Sequence, residues 1–299
     1  MKEITDYGRV FDTLVAKTKE YLVSNNLKAM ILGISGGIDS TVCAAVCHEV
    51  SKQTGIPLIG RSLPTKYNKK GETTTADLVG NAFCTNFQTF NIGNMYENVL
   101  DELIETSEEQ TALANGNIQA RLRMIYLYNL ASIHRGLVID TDNLTEHNLG
   151  YWTVHGDVGD FNPIGGLWKT EVFKLAEWLF NMYKDNDYTY LTKAEAMWAS
   201  LQLKPTAGLG ITNNDLEELG AESYEQVDAI LQEILAWKSF NDPDITFKSL
   251  EEEKLAFLDE QQMLCYPMEV IITIAERHFK SEFKRKKSPV KVSRHLLTI

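Results

Sequence analysis

A short apolar run at residues 29–34 (A-M-I-L-G-I) leads straight into Ser35-Gly36-Gly37-Ile38-Asp39-Ser40, after which helical periodicity continues to residue 50. No other stretch restricts the fold as strongly. The pattern reads as strand, glycine loop and helix, and a second apolar run at 56–63 (I-P-L-I-G-R-S-L) supplies the next strand. Strands joined through a helix lie parallel, because a crossover of that length returns the chain to run in the same direction. At a strand-to-helix junction, backbone N–H groups and the positive end of the helix dipole converge. Glycines let such a backbone wrap an oxyanion, and two serine hydroxyls add donors. Gly33, Ile34, Ser35, Gly36, Gly37, Ile38, Asp39 and Ser40 are therefore expected to hold phosphate. The loop lacks the lysine of G-x-x-x-x-G-K-[ST], which separates it from loops that serve terminal-phosphate cleavage, and it also fails G-x-G-x-x-G.

The alternation continues. Helical patterns at 74–84 and 118–135 each precede a strand pattern, at 87–92 and 137–140, which predicts an α/β fold with a doubly wound parallel sheet. Ile4, Tyr7, Phe11, Leu14, Val15, Tyr21 and Leu22 recur at helical spacing, so residues 3–24 form an amphipathic helix that packs on the domain or on a second subunit. Residues 142–166 are rich in glycine and aspartate with little periodicity, and long loops inside compact domains usually carry function. Helical pattern resumes at Lys169, and 214–279 reads as almost wholly helical and acidic. No repeat or low-complexity linker divides the chain. The expected organisation is one domain over 1–299, with an N-terminal helix (1–28), a nucleotide-binding core (29–212) and a helical region ending in a basic segment (213–299).

With 299 residues, 44% apolar and 23% charged, the chain is long and mixed enough for a sizeable buried core. No apolar run reaches the roughly 18 residues of a membrane span. The N-terminus carries acidic residues where a signal peptide would have an apolar stretch, so a cytoplasmic location is expected. Cys43 and Cys47, four apart on a helix, read as small core residues, with Cys84 and Cys265 isolated. A net charge of −12 opposes general nucleic-acid binding. The basic run Lys280, Lys284, Arg285, Lys286 and Lys287 stands against that balance. It has no evident partner in the sequence and is expected to be flexible until nucleotide phosphates order it as a cover.

The S-G-G-x-D-S loop resembles that of the N-type ATP pyrophosphatases, with their adenine nucleotide alpha hydrolase-like fold. Further stretches narrow the likeness: N-I-Q-A-R-L-R-M from Asn117, Thr141-Asp142-Asn143 with Glu146, Gly150-Tyr151-Trp152-Thr153, Asn162-Pro163-Ile164-Gly165-Gly166 with Lys169-Thr170, and Pro205-Thr206-Ala207. In that order they are similar to ammonia-dependent NAD synthetase, over residues 29–225 and again weakly at Lys284-Arg285. The resemblance implies activation of the nicotinic acid carboxylate of deamido-NAD by ATP, then attack of ammonia to give NAD, AMP and diphosphate. That chemistry is sensible, since an acyl-adenylate turns a poor electrophile into one with a leaving group.

What the resemblance implies for individual residues is specific. The 33–40 loop, Arg61, Thr141, Lys169 and Thr206 contact ATP, and Asp39 and Glu146 bind Mg²⁺. Arg121, Asp160 and Lys284 contact deamido-NAD. Asp157 holds the ammonia or its proton, so that Asp157 and Lys169 are the catalytic candidates. A homodimer is also implied. Four positions depart from the family pattern: Asp140 stands for its glycine, Val154 for its lysine, Gly208 for its aspartate and Phe283 for its histidine. Three of these touch the second substrate's half of the site or its cover, whereas the ATP half is nearly intact. Two alternatives stay open, namely another ATP pyrophosphatase amide ligase acting on a different carboxylate or carbonyl, and a nucleotide-binding module without catalysis. None of the cysteines has a glutaminase-like setting and only about 28 residues precede the first strand, so ammonia is the expected nitrogen donor.

Overall fold

The computed structural model describes residues 3–103, 112–186, 190–203, 215–240, 249–260, 265–285, 290–291 and 293–296. Five α/β repeats build the sheet half: α1 (Tyr7–Ser24), β1 (Met30–Gly33), α2 (Ile38–Thr54), β2 (Leu58–Ser62), α3 (Lys70–Phe83), β3 (Asn86–Thr89), α4 (Gly93–Leu103), α5 (Ala112–His134), β4 (Leu137–Ile139), α6 (Leu144–Leu149), β5 (Phe161–Asn162), α7 (Lys169–Lys184) and α8 (Leu191–Gln202). The rest is α9 (Asp215–Leu219), α10 (Tyr224–Phe240), α11 (Leu250–Glu260), α12 (Met268–Lys280), α13 (Glu282–Arg285), β6 (Val290–Lys291) and a turn of 3₁₀ helix at Arg294–Leu296.

The strands lie in the order β3-β2-β1-β4-β5-β6, all parallel, with Met30 of β1 opposite Leu58 on one side and Leu137 on the other. The order reverses at β1, and in such sheets the crevice beyond the strand carboxyl ends at the reversal is where ligands bind. Side chains alternate across β1. Met30 and Leu32 face a core shared with α1, α2, α3, α7 and α8, while Ala29 and Ile31 face one shared with α4 and α5. The four strands expected from sequence are present with bounds shifted by up to three residues. The pairs β5 and β6, two residues each, are too short for any period to reveal, and α4 was likewise not anticipated.

The N-terminal helix packs on the domain itself. Asp6 caps α1 by accepting from the Arg9 amide at 2.9 Å, and Val10, Phe11, Leu14, Val15 and Leu22 are buried against α2 and α7. A third core lies in the helical region, where Val227, Ile230, Leu231 and Ile234 of α10 meet Phe257 of α11 and Ile271, Ile274 and Phe279 of α12. Leu149 of α6 and Trp168 beside α7 belong to the same cluster, so this region docks on the elements that edge the crevice. Among the described residues no helix is long and apolar enough to cross a membrane.

The basic segment departs from expectation at two positions. Lys284 donates to the carbonyls of Gly150 and Trp152 at 2.7 and 2.6 Å, and Arg285 donates to those of Asn148 and His278 at 3.0 and 2.8 Å. Both cations are bound to carbonyls at the end of α6, because exposed carbonyls at a helix C-terminus attract positive charge. Lys286 and Lys287 lie outside the described residues. His278, 1% exposed, completes the junction through Nδ1 to the Asn148 carbonyl at 3.1 Å.

Two outcomes are expected. Leu14→Ala, at a fully buried position, should cost about 2–5 kcal/mol in urea unfolding, whereas Val23→Ala on the exposed face of α1 should stay within about 0.5 kcal/mol. Burial, with Arg285 and Lys238 adding to it, lowers the pKa of His278 to about 3, so the folded protein holds it neutral. A depressed folded pKa means that this stabilisation is present above the unfolded value near 6.5 and is lost as the pH falls from there toward 3. Unfolding midpoints measured over that window should therefore fall less steeply for His278→Gln than for the parent.

Candidate active site

The glycine loop is shaped by crowding. Gly36 has φ of +88°, and a Cβ there would lie 2.4 Å from the Glu72 carbonyl of α3, so only glycine fits. Ser35 Oγ accepts from the Gly37 amide at 3.1 Å and pairs with Ser40 Oγ at 3.0 Å, which fixes the loop's curvature. Gly37 caps α2 without any side-chain bond, so the first N–H groups of the helix are left for a ligand.

Three elements bring three charges together below this loop. Asp39 comes from the first turn of α2, Glu146 from α6, and Lys169 from the first residue of α7. Lys169 Nζ donates to Asp39 Oδ2 at 2.6 Å and to Glu146 Oε1 at 2.9 Å. Asn143 secures both acids. Its Nδ2 donates to Asp39 Oδ1 at 2.9 Å, while its Oδ1 accepts from the Glu146 amide at 3.0 Å and Glu146 Oε2 accepts from the Asn143 amide at 3.2 Å, a capping box at the start of α6. Burial, and then Asp39, push the Glu146 carboxyl up to about 7. Burial opposes the charge on Lys169, but Asp39 and Glu146 outweigh it and hold the ammonium well above the usual lysine range. The two carboxylates thus converge on one cation. Mg²⁺ in nucleotide sites takes one or two protein carboxylates and completes its shell with water and phosphate, so the pair fits that ion. Among the described residues no cluster of three or more acidic, histidine or cysteine side chains offers an all-protein cage.

Beside the loop lies a cavity of about 280 Å³ lined by Gly33, Ile34, Ser35, Arg61, Thr141, Asp142 and Asp157, among others. Arg61, at the end of β2, is 6% exposed. Its Nη1 donates to the carbonyl of Gly60 and to Asn86 Oδ1, while its buried Nε meets no partner among the described residues. Asp157 opens onto the cavity and is an exposed residue, although many protein atoms surround its carboxyl. Burial raises its carboxyl above the usual range, and Oδ1 accepts from the Thr153 amide at 2.6 Å. The two catalytic candidates are thus held by different partners: Lys169 by Asp39 and Glu146, Asp157 by the Thr153 turn.

A second cavity of about 550 Å³ is lined by Arg121, Tyr128, Trp152, Val154 and His155 together with apolar α5 side chains. Arg121 Nη2 donates to the Val154 carbonyl at 3.2 Å. Asp160 is engaged elsewhere: Oδ2 accepts from the Val138 amide at 2.9 Å and Oδ1 from Tyr128 Oη at 3.0 Å, which braces β4 against α5. Thr206 and Gly208 lie outside the described residues. Phe283 is 63% exposed.

Asp140 was noted in the sequence only as a departure. Its carboxylate, 1% exposed, accepts from the amides of Asp142 and Gly159 and from Asn162 Nδ2, tying the ends of the 142–166 loop to β4. Burial raises it to about 7. Asn143 was also missed as a site residue, although N-x-x-E before a helix is a readable capping signal. Nothing in the local sequence marks Asp140 as a loop anchor, because its partners at the far end of the loop lie 19 and 22 residues away.

Comparison with known proteins gives the family. The family model described as NAD synthase matches residues 10–288. The chain is 30% identical over 224 residues to the NH(3)-dependent NAD(+) synthetase of Campylobacter jejuni, covering 75% of this chain and 82% of that protein. Its structure is similar to that of NMN synthetase from Francisella tularensis, with a TM-score of 0.70, 26% identity, and coverage of 95% and 98% of the two chains. The NH3-dependent NAD synthetase structure from Campylobacter jejuni shares the fold, with a TM-score of 0.62 and 22% identity over 97% and 100%. With a loop that offers free helix amides, an acid pair converging on one cation and a family match across nearly its whole length, the chain belongs to the NAD synthase family.

Proposed function

We propose that the chain amidates deamido-NAD with ammonia at the expense of ATP, releasing NAD, AMP and diphosphate by way of an acyl-adenylate. The observation that carries this reading is the meeting of Asp39, Glu146 and Lys169 under a glycine loop with uncapped amides. The loop amides and the α2 dipole hold the diphosphate end of ATP. Arg61, which lines the cavity from the end of β2, serves the triphosphate, and Thr141 and Thr206 complete the ATP contacts. Asp39 and Glu146 hold Mg²⁺, which when bound neutralises phosphate charge and stabilises the departing diphosphate. The substrate carboxylate oxygen attacks the α-phosphorus, and the bond to the β-phosphate oxygen breaks. Ammonia then attacks the acyl carbon, AMP leaves with the electron pair of the C–O bond, and Asp157 takes the surplus proton. A carboxyl raised above the usual range by burial suits that role.

On the second substrate, Arg121 faces the dinucleotide. Lys284 has three donors and uses two on Gly150 and Trp152, leaving one for substrate, and Asp160 keeps lone pairs for a ribose hydroxyl. Burial of Cys43 and Cys47, which raises their thiols, supports ammonia over glutamine as the donor. The exposed apolar side chains of α5, Leu113, Ile125 and Ile133, support the homodimer. A nicotinate mononucleotide substrate is the second reading. It is favoured by Val154 in place of a lysine, which leaves Arg121 as the lysine or arginine on the second cavity, and by the 26% match to an NMN synthetase.

With ATP, Mg²⁺ and ammonium, AMP and diphosphate should appear in step with the amide product, and release of ADP would overturn the reading. Asp39→Asn and Glu146→Gln should each lower Mg²⁺-dependent turnover by at least about tenfold while leaving the circular dichroism unchanged. Comparing kcat/KM for deamido-NAD and nicotinate mononucleotide decides between the two substrates. Val154→Lys should shift that ratio toward the dinucleotide. Glutamine at a concentration matched to ammonium should give little product.

A further inference from the structure

The acidic helical region carries one aspartate whose partners all lie at the site's supports. Asp228, on α10, is 2% exposed. Its Oδ1 accepts from Thr145 Oγ1 at 2.5 Å, and its Oδ2 accepts from the Thr170 amide at 3.1 Å and from Thr170 Oγ1 at 2.8 Å. Thr145 Oγ1, its proton committed to Asp228, accepts in turn from the Lys169 amide at 2.8 Å. Thr145 precedes Glu146 on α6, and Lys169 and Thr170 are the first two residues of α7. The first N–H groups of a helix have no partner within it, so α7 is capped from outside by Asp228, once directly and once through Thr145.

We propose that Asp228 is a positioning residue for the ATP and metal site. One carboxylate sets the register of α6 against α7, and with it the separation of Glu146 from Lys169. Thr145 has a single proton, which goes to the Asp228 carboxylate and leaves its lone pairs for the Lys169 amide. An asparagine has one acceptor oxygen and an amide NH2 that only donates, so it cannot accept from both Thr145 and Thr170 as the two carboxylate oxygens do. Tyr224 lies one turn earlier on α10, with Lys169 Nζ 5.7 Å from its ring centroid, so two residues of the same helix meet the start of α7.

The arrangement does not serve the fold best. Burial pushes the Asp228 carboxyl up to about 6, so keeping it ionised at neutral pH is costly, and a neutral residue of the same shape would relieve that cost. The charge is explained by three donors that have to be ordered together at the edge of the site. Outer-shell partners of this kind change metal affinity by about 10- to 100-fold when lost.

The proposal rests on the assignment of Asp39, Glu146 and Lys169 to ATP and Mg²⁺, and the test separates the two. Binding of Mn²⁺ with α,β-methylene-ATP is measured by calorimetry on the intact chain, alongside thermal unfolding. The parent should bind; absence of binding there would sink the site assignment itself. Asp228→Asn should keep its unfolding midpoint within a few degrees yet weaken binding about tenfold or more. Thr145→Val should weaken it similarly, Thr145→Ser should restore it, and the double variant Asp228→Asn with Thr145→Val should be no worse than either single one. Unchanged binding in Asp228→Asn, or additive losses in the double variant, would overturn the positioning role while leaving the site assignment standing. Should Asp228→Asn fail to fold, the contrast between Thr145→Val and Thr145→Ser decides alone: a loss without rescue, or no loss, counts against the proposal.

Discussion

The site depends on a single buried ammonium. Lys169 is 2% exposed and touches two carboxylates that arrive from different parts of the chain, 130 and 23 residues away. Removing a lysine from water is expensive, and only close acidic partners in a fixed geometry compensate for it. Asp39 and Glu146 would in turn repel each other across the same space without a cation between them; burial raises the Glu146 carboxyl and Asp39 adds to the rise. Each of the three charges is therefore tolerable only because the other two are present. The surrounding fold supplies the rigidity this requires: Asp39 is locked in the first turn of α2, Glu146 in a capping box, and Lys169 at a helix start whose dipole would otherwise disfavour it. A centre that already holds one cation between two acids is suited to exchanging charge with a magnesium nucleotide.

The sheet places that centre. Gly33 ends β1, Thr141 follows β4, and Arg61 lies near the end of β2, so the cavity opens where strand order reverses. This much was readable in the sequence, because apolar runs, a glycine turn and resumed helical period each rest on local rules. The glycine loop was legible for the same reason: the positive φ at Gly36 and its close approach to α3 are demands that only glycine meets. Arg61, Thr141, Asp39, Glu146 and Lys169 followed from motif order, and the structure gathers them around the loop and its cavity.

What was not legible depends on distance along the chain. Asp140 looks like a disruption of the family pattern until its bonds to Gly159 and Asn162 are seen. There it acts as the anchor of the 142–166 loop, and the absence of a Cβ at Gly159 lets the loop approach within contact of Val138 and Asp140. Asp160 reads as a substrate ligand by motif, and what the motif does not show is that its two oxygens also brace β4 against α5. Lys284 and Arg285 read as weakly partnered cations because Glu282 is the single acid within the basic run. Their partners are backbone carbonyls at the end of α6, and a carbonyl carries no residue signature. The strands β5 and β6 fall below any detectable period. They extend the sheet by pairing, β5 on the edge of β4 and β6 on the edge of β5.

The helical region follows from these constraints. Its acidic composition, taken alone, describes a solvated surface, and most of its carboxylates fit that description. Its apolar residues do something else, since they form one core with Leu149 and Trp168. The same helices that bury that core therefore hold α6 and α7 in place from behind, at the two points where Glu146 and Lys169 begin. The C-terminal strap reinforces this from the other side. Arg294 pairs with Glu171 in the first turn of α7, and Glu171 itself caps the Trp168 amide at 2.9 Å. The start of α7 is thus fixed by Thr145, by Asp228 and by the Arg294–Glu171 pair, which come from three separate stretches of chain. A charge cluster that has to keep two acids and a lysine within hydrogen-bonding distance needs such redundancy, because a small displacement of any helix would leave a buried charge without its partner.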